Sequence, residues 1–184
     1  MRIAVSGLSG AGKTTALEHL REIGFGKICY AGAIVRSEVI SRDLPLTPEN
    51  ETLVRADLRQ ARGNDFLAQM VIEKLGGEPE ANHALVDAIC APEEADCYRR
   101  VWGNALVTLA LEAHFDIRVA RLAKRVDRPC TPTQLRKRDD YERNVLRLDD
   151  VMAAADFRIP NEADVDTLKR ELDRLSVAWR SDAA

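Results

Sequence analysis

The segment Gly7-Leu8-Ser9-Gly10-Ala11-Gly12-Lys13-Thr14 fits the pattern G-x-x-x-x-G-K-[ST] throughout. Each residue type in it suits one chemical job. The glycines let the backbone curl so that its N–H groups converge on a phosphate chain. The helix that starts at the end of the loop adds the positive pole of its dipole. Lys13 reaches the outer phosphates, and the Thr14 hydroxyl ligates Mg²⁺. A site of this kind takes a second metal-holding group from the end of another strand, as an Asp. Asp87, directly after Ala84-Leu85-Val86, meets that need. The alternative for Asp87 is that it only caps the turn before Pro92.

A second chemical feature is the run 118–147, which is rich in Arg and Lys although the chain as a whole is acidic. Transfer of a phosphoryl group needs cations around a spread negative charge, and a mobile cover that excludes water. The run suits such a cover. Its alternative is a solvated helix laced by i,i+4 pairs such as Arg138–Glu142 and Asp139–Arg143. Other reactive types carry no motif. His19, His83 and His114 are scattered and form no metal-binding pattern. Cys90 and Cys97 read as small buried residues, and Trp102 and Trp179 as anchors of a core or an interface.

The elements that must position these groups alternate. Short apolar runs at 2–6, 27–30, 84–89, 105–111 and 157–159 read as strands. Amphipathic runs at 13–23, 34–42, from Thr47-Pro48 to 62, 92–103, 116–126 and 133–148 read as helices, with another running to 75 that Asn64 caps. From Val165, the residues Leu168, Leu172, Leu175 and Trp179 mark one face of a last helix. Strands alternating with helices predict an α/β fold, a mostly parallel five-stranded sheet covered on both faces. The stretch between Gly76 and His83 is too short to divide domains, so one domain over 1–184 is expected.

Composition narrows the class. Hydrophobic residues at 46% and charged residues at 31% exclude a disordered tail. With 27 basic and 30 acidic residues, no general affinity for nucleic acid is advertised. No stretch nears the roughly 20 apolar residues of a membrane helix. The opening residues lack the h-region of a signal peptide, and four cysteines without a C-x-x-C pair suit a reducing compartment, so a cytoplasmic protein is expected.

The ordered set of motifs resembles nucleoside monophosphate kinases and dephospho-CoA kinases. It is most similar to a small archaeal and phage group of adenylate-kinase-like or dephospho-CoA-kinase-like proteins. The matching pieces are the phosphate loop; GAIVRSEV at 32–39; Thr47-Pro48-Glu49-Asn50 followed by Leu58-Arg59; Asp87-Ala88-Ile89 before Pro92-Glu93-Glu94; Arg118 and Arg121-Leu122; Arg138-Asp139 with Glu142; and Ala155 through Asn161. The resemblance implies a P-loop kinase fold with an Arg-rich lid at about 118–148 and an acceptor-side helical region at about 31–76. It implies ATP as donor and Mg²⁺ as cofactor. It places Gly7, Gly10, Ala11, Gly12, Lys13, Thr14, Thr15 and Asn161 at the nucleotide, with the Pro160-Asn161 turn beside the adenine. Thr14 and Asp87 fall at the metal, and Arg36, Arg59 and Asp87 on the acceptor side. Arg118, Arg121, Arg125, Arg128 and Arg138 supply the lid, with Lys13, Arg118 and Arg138 acting in catalysis.

Two departures bear on the acceptor. Ala33 stands where the family pattern has an Asp, and in dephospho-CoA kinases a nearby Asp accepts the proton of the attacked hydroxyl. Cys90 stands where a D-G-x-R run would place a phosphate-gripping Arg. A phosphate acceptor is already ionised and needs little base catalysis. The missing Asp therefore favours a (deoxy)nucleoside monophosphate, a small-molecule acceptor. The missing Arg points to something less ordinary: a hydroxyl acceptor such as dephospho-CoA or a hydroxymethylated base in DNA. A non-catalytic nucleotide-binding module is the remaining reading, against which Lys13 and Thr14 stand intact.

Overall fold

A computed structural model describes residues 1–76, 83–125 and 130–181, and every structural statement below concerns those residues. Arg128 lies outside them, as does the whole stretch between Gly76 and His83. The five strands are β1 (Arg2–Ser6), β2 (Lys27–Tyr30), β3 (Ala84–Asp87), β4 (Leu106–Glu112) and β5 (Phe157–Pro160). They form one sheet in the order β2-β3-β1-β4-β5, with every pairing parallel. The nine helices of the described residues are α1 (Lys13–Glu22), α2 (Ala31–Ser41), α3 (Pro48–Arg62), α4 (Phe66–Gly76), α5 (Pro92–Trp102), α6 (Phe115–Ala123), α7 (Pro132–Asn144), α8 (Leu148–Ala153) and α9 (Val165–Ser181). None is long and apolar enough to cross a membrane.

Successive strand residues point to opposite faces, and the core divides accordingly. Ile3, Val5, Leu85, Leu109 and Leu111 join the cluster that holds Leu17 and Leu20 of α1 and Leu172 and Trp179 of α9. Trp179 sits edge-on to Phe25 and Phe157 there. Ala4, Ala84 and Val86 face the other cluster, with Val35, Val54, Phe66, Val71, Ala95 and Leu148 from α2, α3, α4, α5 and α8. A sheet buried on both faces explains why the strands read as continuous apolar runs. The order brings β1 between β3 and β4, so the ends of these strands meet at one edge with the phosphate loop between them.

Several local expectations hold through identifiable caps. Thr47 caps α3 by accepting from the Asn50 N–H at 3.2 Å, with Pro48 at the first helical position. Thr131 and Gln134 close a capping box on α7. Three details differ. Asn64 does not cap α4; its amide donates to Glu93 at 3.2 Å. The strand expected at 84–89 ends at Asp87. The long helix expected over 133–148 breaks: α7 stops at Asn144, Arg147 takes a left-handed φ of 60°, and α8 starts anew. The break turns Leu148 and Val151 into the core beneath β1 and β4, so the last expected lid residue is part of the body.

Candidate active site

The loop leaves β1 at Ser6 and enters α1 at Lys13. Gly12 has a φ of 103°, and a Cβ there would run into the Asn161 amide, so both handedness and close approach demand glycine. The Lys13 ammonium donates to the Gly7 carbonyl at 2.5 Å and the Leu8 carbonyl at 3.2 Å. Burial lowers its pKa; Cys90, Glu142 and Asp87 oppose that shift and Arg138 adds to it. Neutral carbonyls are weak partners for a cation, and phosphate oxygens outcompete them. Thr14 is exposed and Thr15 half-buried in the first turn of α1.

Three side chains brace the loop from behind. Asn161 is buried and donates its amide to the Ala11 carbonyl at 2.8 Å, while its N–H bonds the Glu112 carbonyl at 2.7 Å. Its amide therefore serves the loop, and the Pro160-Asn161 turn is what can face a base. Arg121 donates to the Asn161 carbonyl at 2.9 Å and to the Ala163 carbonyl at 3.1 Å. Arg118 is only 2% exposed. Its guanidinium forks onto Asp139 of α7 at 2.9 and 2.6 Å and also bonds the Ser9 and Ala113 carbonyls, both at 3.1 Å. The donors of Arg118, a residue expected in catalysis, are engaged in clasping α7 to the phosphate loop. The Asp139–Arg143 pair does not form for the same reason, and Arg143 reaches Asp149 at 3.6 Å instead.

Facing the loop is the exit from β3. Burial raises the pKa of Asp87, against the pull of Lys13, Arg138 and Arg125, so these four groups share one electrostatic neighbourhood. Asp87 is not a cap. The start of α5 is served by Glu94, 2% exposed, whose carboxylate accepts from the Cys90 N–H at 2.8 Å. Burial pushes the Glu94 carboxyl up to about 7, opposed by its bonds to the Cys90 and Ala91 backbone and by Arg59. Burial likewise raises the Cys90 thiol to about 12, so it stays protonated at neutral pH. From α7, Arg138 donates to Glu142 at 2.8 Å as the i,i+4 spacing anticipates. Glu142 itself is 8% exposed, and its Oε2 is buried with no partner among the described residues.

The side expected to take the acceptor is sparser. Arg36, half-buried on α2, has its guanidinium over Gly32 and forms no ion pair or hydrogen bond with a described residue. Arg59 of α3 crosses to α7, donating to the Tyr141 hydroxyl at 3.0 Å, and lies 5.7 Å from the Phe66 ring centre. Its Nε is buried without a partner. On the opposite edge, beside β4 and β5, a cavity of about 280 Å³ is lined by Leu8, Leu111, Ala113, His114, Pro160 and Glu162, among others.

The charges of Lys13, Arg125 and Arg138 all act on Asp87. Arg118 and Asn161 stand behind the loop, and Arg36 stands apart. Tyr141 and the inward turn of Glu142 escaped the sequence reading, and Glu94 entered it only as an acidic residue at a helix start. An acidic third helical residue after Pro92 was the only signal for Glu94; Tyr141 had none.

The same architecture recurs in known proteins. A family model described as an AAA domain (AAA_18) matches residues 3–143. The chain belongs to this family. A UPF0200/UPF0201 protein of Archaeoglobus fulgidus is 33% identical over 162 residues, covering 86% of this chain, which spans 50% of that relative's length. A UPF0200 protein of Methanosarcina acetivorans is 25% identical, with 92% of this chain and 90% of that protein covered. Among solved structures, a gluconokinase from Sinorhizobium meliloti superimposes with a TM-score of 0.64 at 16% identity, covering 100% of this chain and 97% of that one. A shikimate kinase from Aquifex aeolicus does so with 0.57 at 17%, covering 98% of each. The AAA-family chain thus has the α/β fold of P-loop kinases.

Proposed function

We propose that the protein is an ATP- and Mg²⁺-dependent phosphotransferase. The observation that carries this reading is the gathering of Lys13, Asp87 and Arg138 around a glycine loop whose lysine is held only by neutral carbonyls. ATP would lay its phosphates along the loop. Its base would enter the cavity beside Pro160, whose size lies just below the ~300–1,000 Å³ of small-molecule sites. Thr14 and Asp87 would hold Mg²⁺, which binds through one or two protein oxygens plus phosphates and so needs no prebuilt cage. The metal would neutralise charge on the transferring group; Lys13 and Arg138 would do so from the protein side.

Two acceptor classes follow from the acceptor wall. Arg36, free of described partners, supports a (deoxy)nucleoside monophosphate, whose phosphate it would fork upon. The partnerless oxygen of Glu142 supports a hydroxyl acceptor, such as dephospho-CoA or a hydroxymethylated DNA base. A cytoplasmic setting suits either. The test is transfer of labelled γ-phosphate from ATP, with and without Mg²⁺, to a panel of nucleoside monophosphates, dephospho-CoA and oligonucleotides with hydroxymethyl bases. Metal-dependent transfer to one class is the expected result. Tight ATP binding with neither transfer nor hydrolysis would make the protein a binding module.

A further inference from the structure

We propose that Glu142 receives the attacking hydroxyl of the acceptor, so that the acceptor is an alcohol and not a phosphate. This rests on the phosphotransferase reading and chooses between its two acceptors. A buried carboxylate oxygen without a partner is costly, and native structures rarely leave one unexplained. Glu142 is such a group. One turn along α7, Arg138 takes Oε1 at 2.8 Å, and Oε2 is buried and bare. The surroundings say what it faces. The charge of Glu142 acts on both Lys13 and Cys90, as the charge of Asp87 acts on Lys13. The Arg118–Asp139 clasp ties this face of α7 to the Ser9 carbonyl of the phosphate loop, and Glu142, three residues after Asp139, lies on the same face.

The chemistry around that oxygen discriminates between acceptors. A carboxylate held by an arginine is an acceptor of hydrogen bonds only. An ionised phosphate brought there would add negative charge beside Glu142 and has no hydrogen to give Oε2, while Lys13 and Arg138 would already serve the donor and Oε1. A hydroxyl is neutral and donates the one hydrogen bond that Oε2 lacks. In the reaction the acceptor oxygen bonds to the γ-phosphorus and its proton passes to Oε2. The bond from the γ-phosphorus to the bridging oxygen breaks, with its electron pair leaving on ADP. The proton returns to solvent as product departs.

Water is the smallest hydroxyl acceptor, so ATP hydrolysis reads the step before any natural acceptor is known. In the full chain, Glu142→Gln keeps the shape and the Arg138 contact but cannot take a proton. It should lower hydrolysis, and phosphorylation of any alcohol in the panel, by roughly 100-fold. The KM for ATP and the Tm should stay as in the wild type. Glu142→Asp, which keeps the ion pair, should fall in between and serves if the Gln variant folds poorly. Hydrolysis by the Gln variant within about threefold of wild type overturns the proposal. So does faster wild-type transfer to a nucleoside monophosphate than to water or any alcohol, which would leave the phosphotransferase reading standing. Restoration of the Gln variant by raised Mg²⁺ overturns it too, since Glu142 would then serve the metal. A wild type that neither binds ATP by calorimetry nor hydrolyses it sinks both readings.

Discussion

The two sides of the site are built in opposite ways. On the donor side every bracing contact is made before any ligand arrives: Asn161 on Ala11, Arg121 on the 161–163 turn, and Arg118 on Ser9 and Asp139. On the proposed acceptor side, Arg36 has no described partner, and Arg59 donates to the Tyr141 hydroxyl and lies over the Phe66 ring, with its Nε left over. A triphosphate needs the same cradle whatever the reaction, so a rigid one loses no ordering entropy on binding. An acceptor must enter, be recognised and leave, which favours contacts that cost little to break.

The sharpest way to break this contrast is at the clasp. Asp139→Ala leaves the Arg118 guanidinium buried and unpaired, which costs about 3–5 kcal/mol. Chemical denaturation should show a loss of that size, and weaker ATP binding should accompany it because α7 is no longer tied to the loop. A loss below about 1 kcal/mol would mean that the donor side is not braced as described. Lys13→Ala should instead spare the fold and cut turnover by ~10²–10³-fold, as loss of a transition-state charge contact does. Turnover and melting on one preparation decide it, and near-normal turnover would dismiss the loop as the donor site.

Glu94, under the acceptor wall, gives the contrast a pH signature. Its carboxyl is raised from 4.5 to about 7 by burial, so the folded state binds the proton more tightly than the unfolded chain. Its contribution is complete below about 4.5 and is lost as pH rises through about 7. Melting of the wild type against Glu94→Gln should diverge across that window, with the Gln variant flatter. Parallel curves would count against it.

Smaller effects test the acceptor side itself. Arg36→Ala should raise the acceptor KM or lower kcat about tenfold, ~1.4 kcal/mol, with ATP affinity and Tm unchanged. Unchanged acceptor kinetics would misplace the pocket. Tyr141→Phe removes one exposed hydrogen bond. It should cost under ~1 kcal/mol of stability and shift the acceptor KM by no more than a few-fold, leaving the donor KM alone. A larger change in ATP affinity would show that the two sides are coupled through α7.

Much of this was legible beforehand, for local reasons. The bounds of β1, β2 and α3 follow from apolar runs punctuated by Gly7, Gly26, Thr47-Pro48 and Gly63, whose effects act over a few residues. The glycine loop identified itself because its pattern and its geometry are one local feature. The break between α7 and α8 was not legible. Arg147 is a poor candidate for a left-handed φ, and only the demand to seat Leu148 and Val151 in the core imposes it. The charged stretch from 118 onward also hid its own division of labour. By type, Arg118 and Arg138 are alike; one is a buried clasp on Asp139 and the other pairs with Glu142 and acts on Asp87.

By itself the sequence determined the α/β alternation, the phosphate loop with Lys13 and Thr14, and the Asp at the end of β3, because each is written within a span of a few residues. The tertiary structure alone decided the strand order that sets β1 between β3 and β4, and the pairing of Arg118 with an aspartate 21 residues on. It alone relieved Asp87 of capping through Glu94, and it alone aimed Glu142 inward. These depend on which faces are buried against which, and burial is what turns an ordinary surface charge into a clasp, a perturbed acid or an oxygen without a partner.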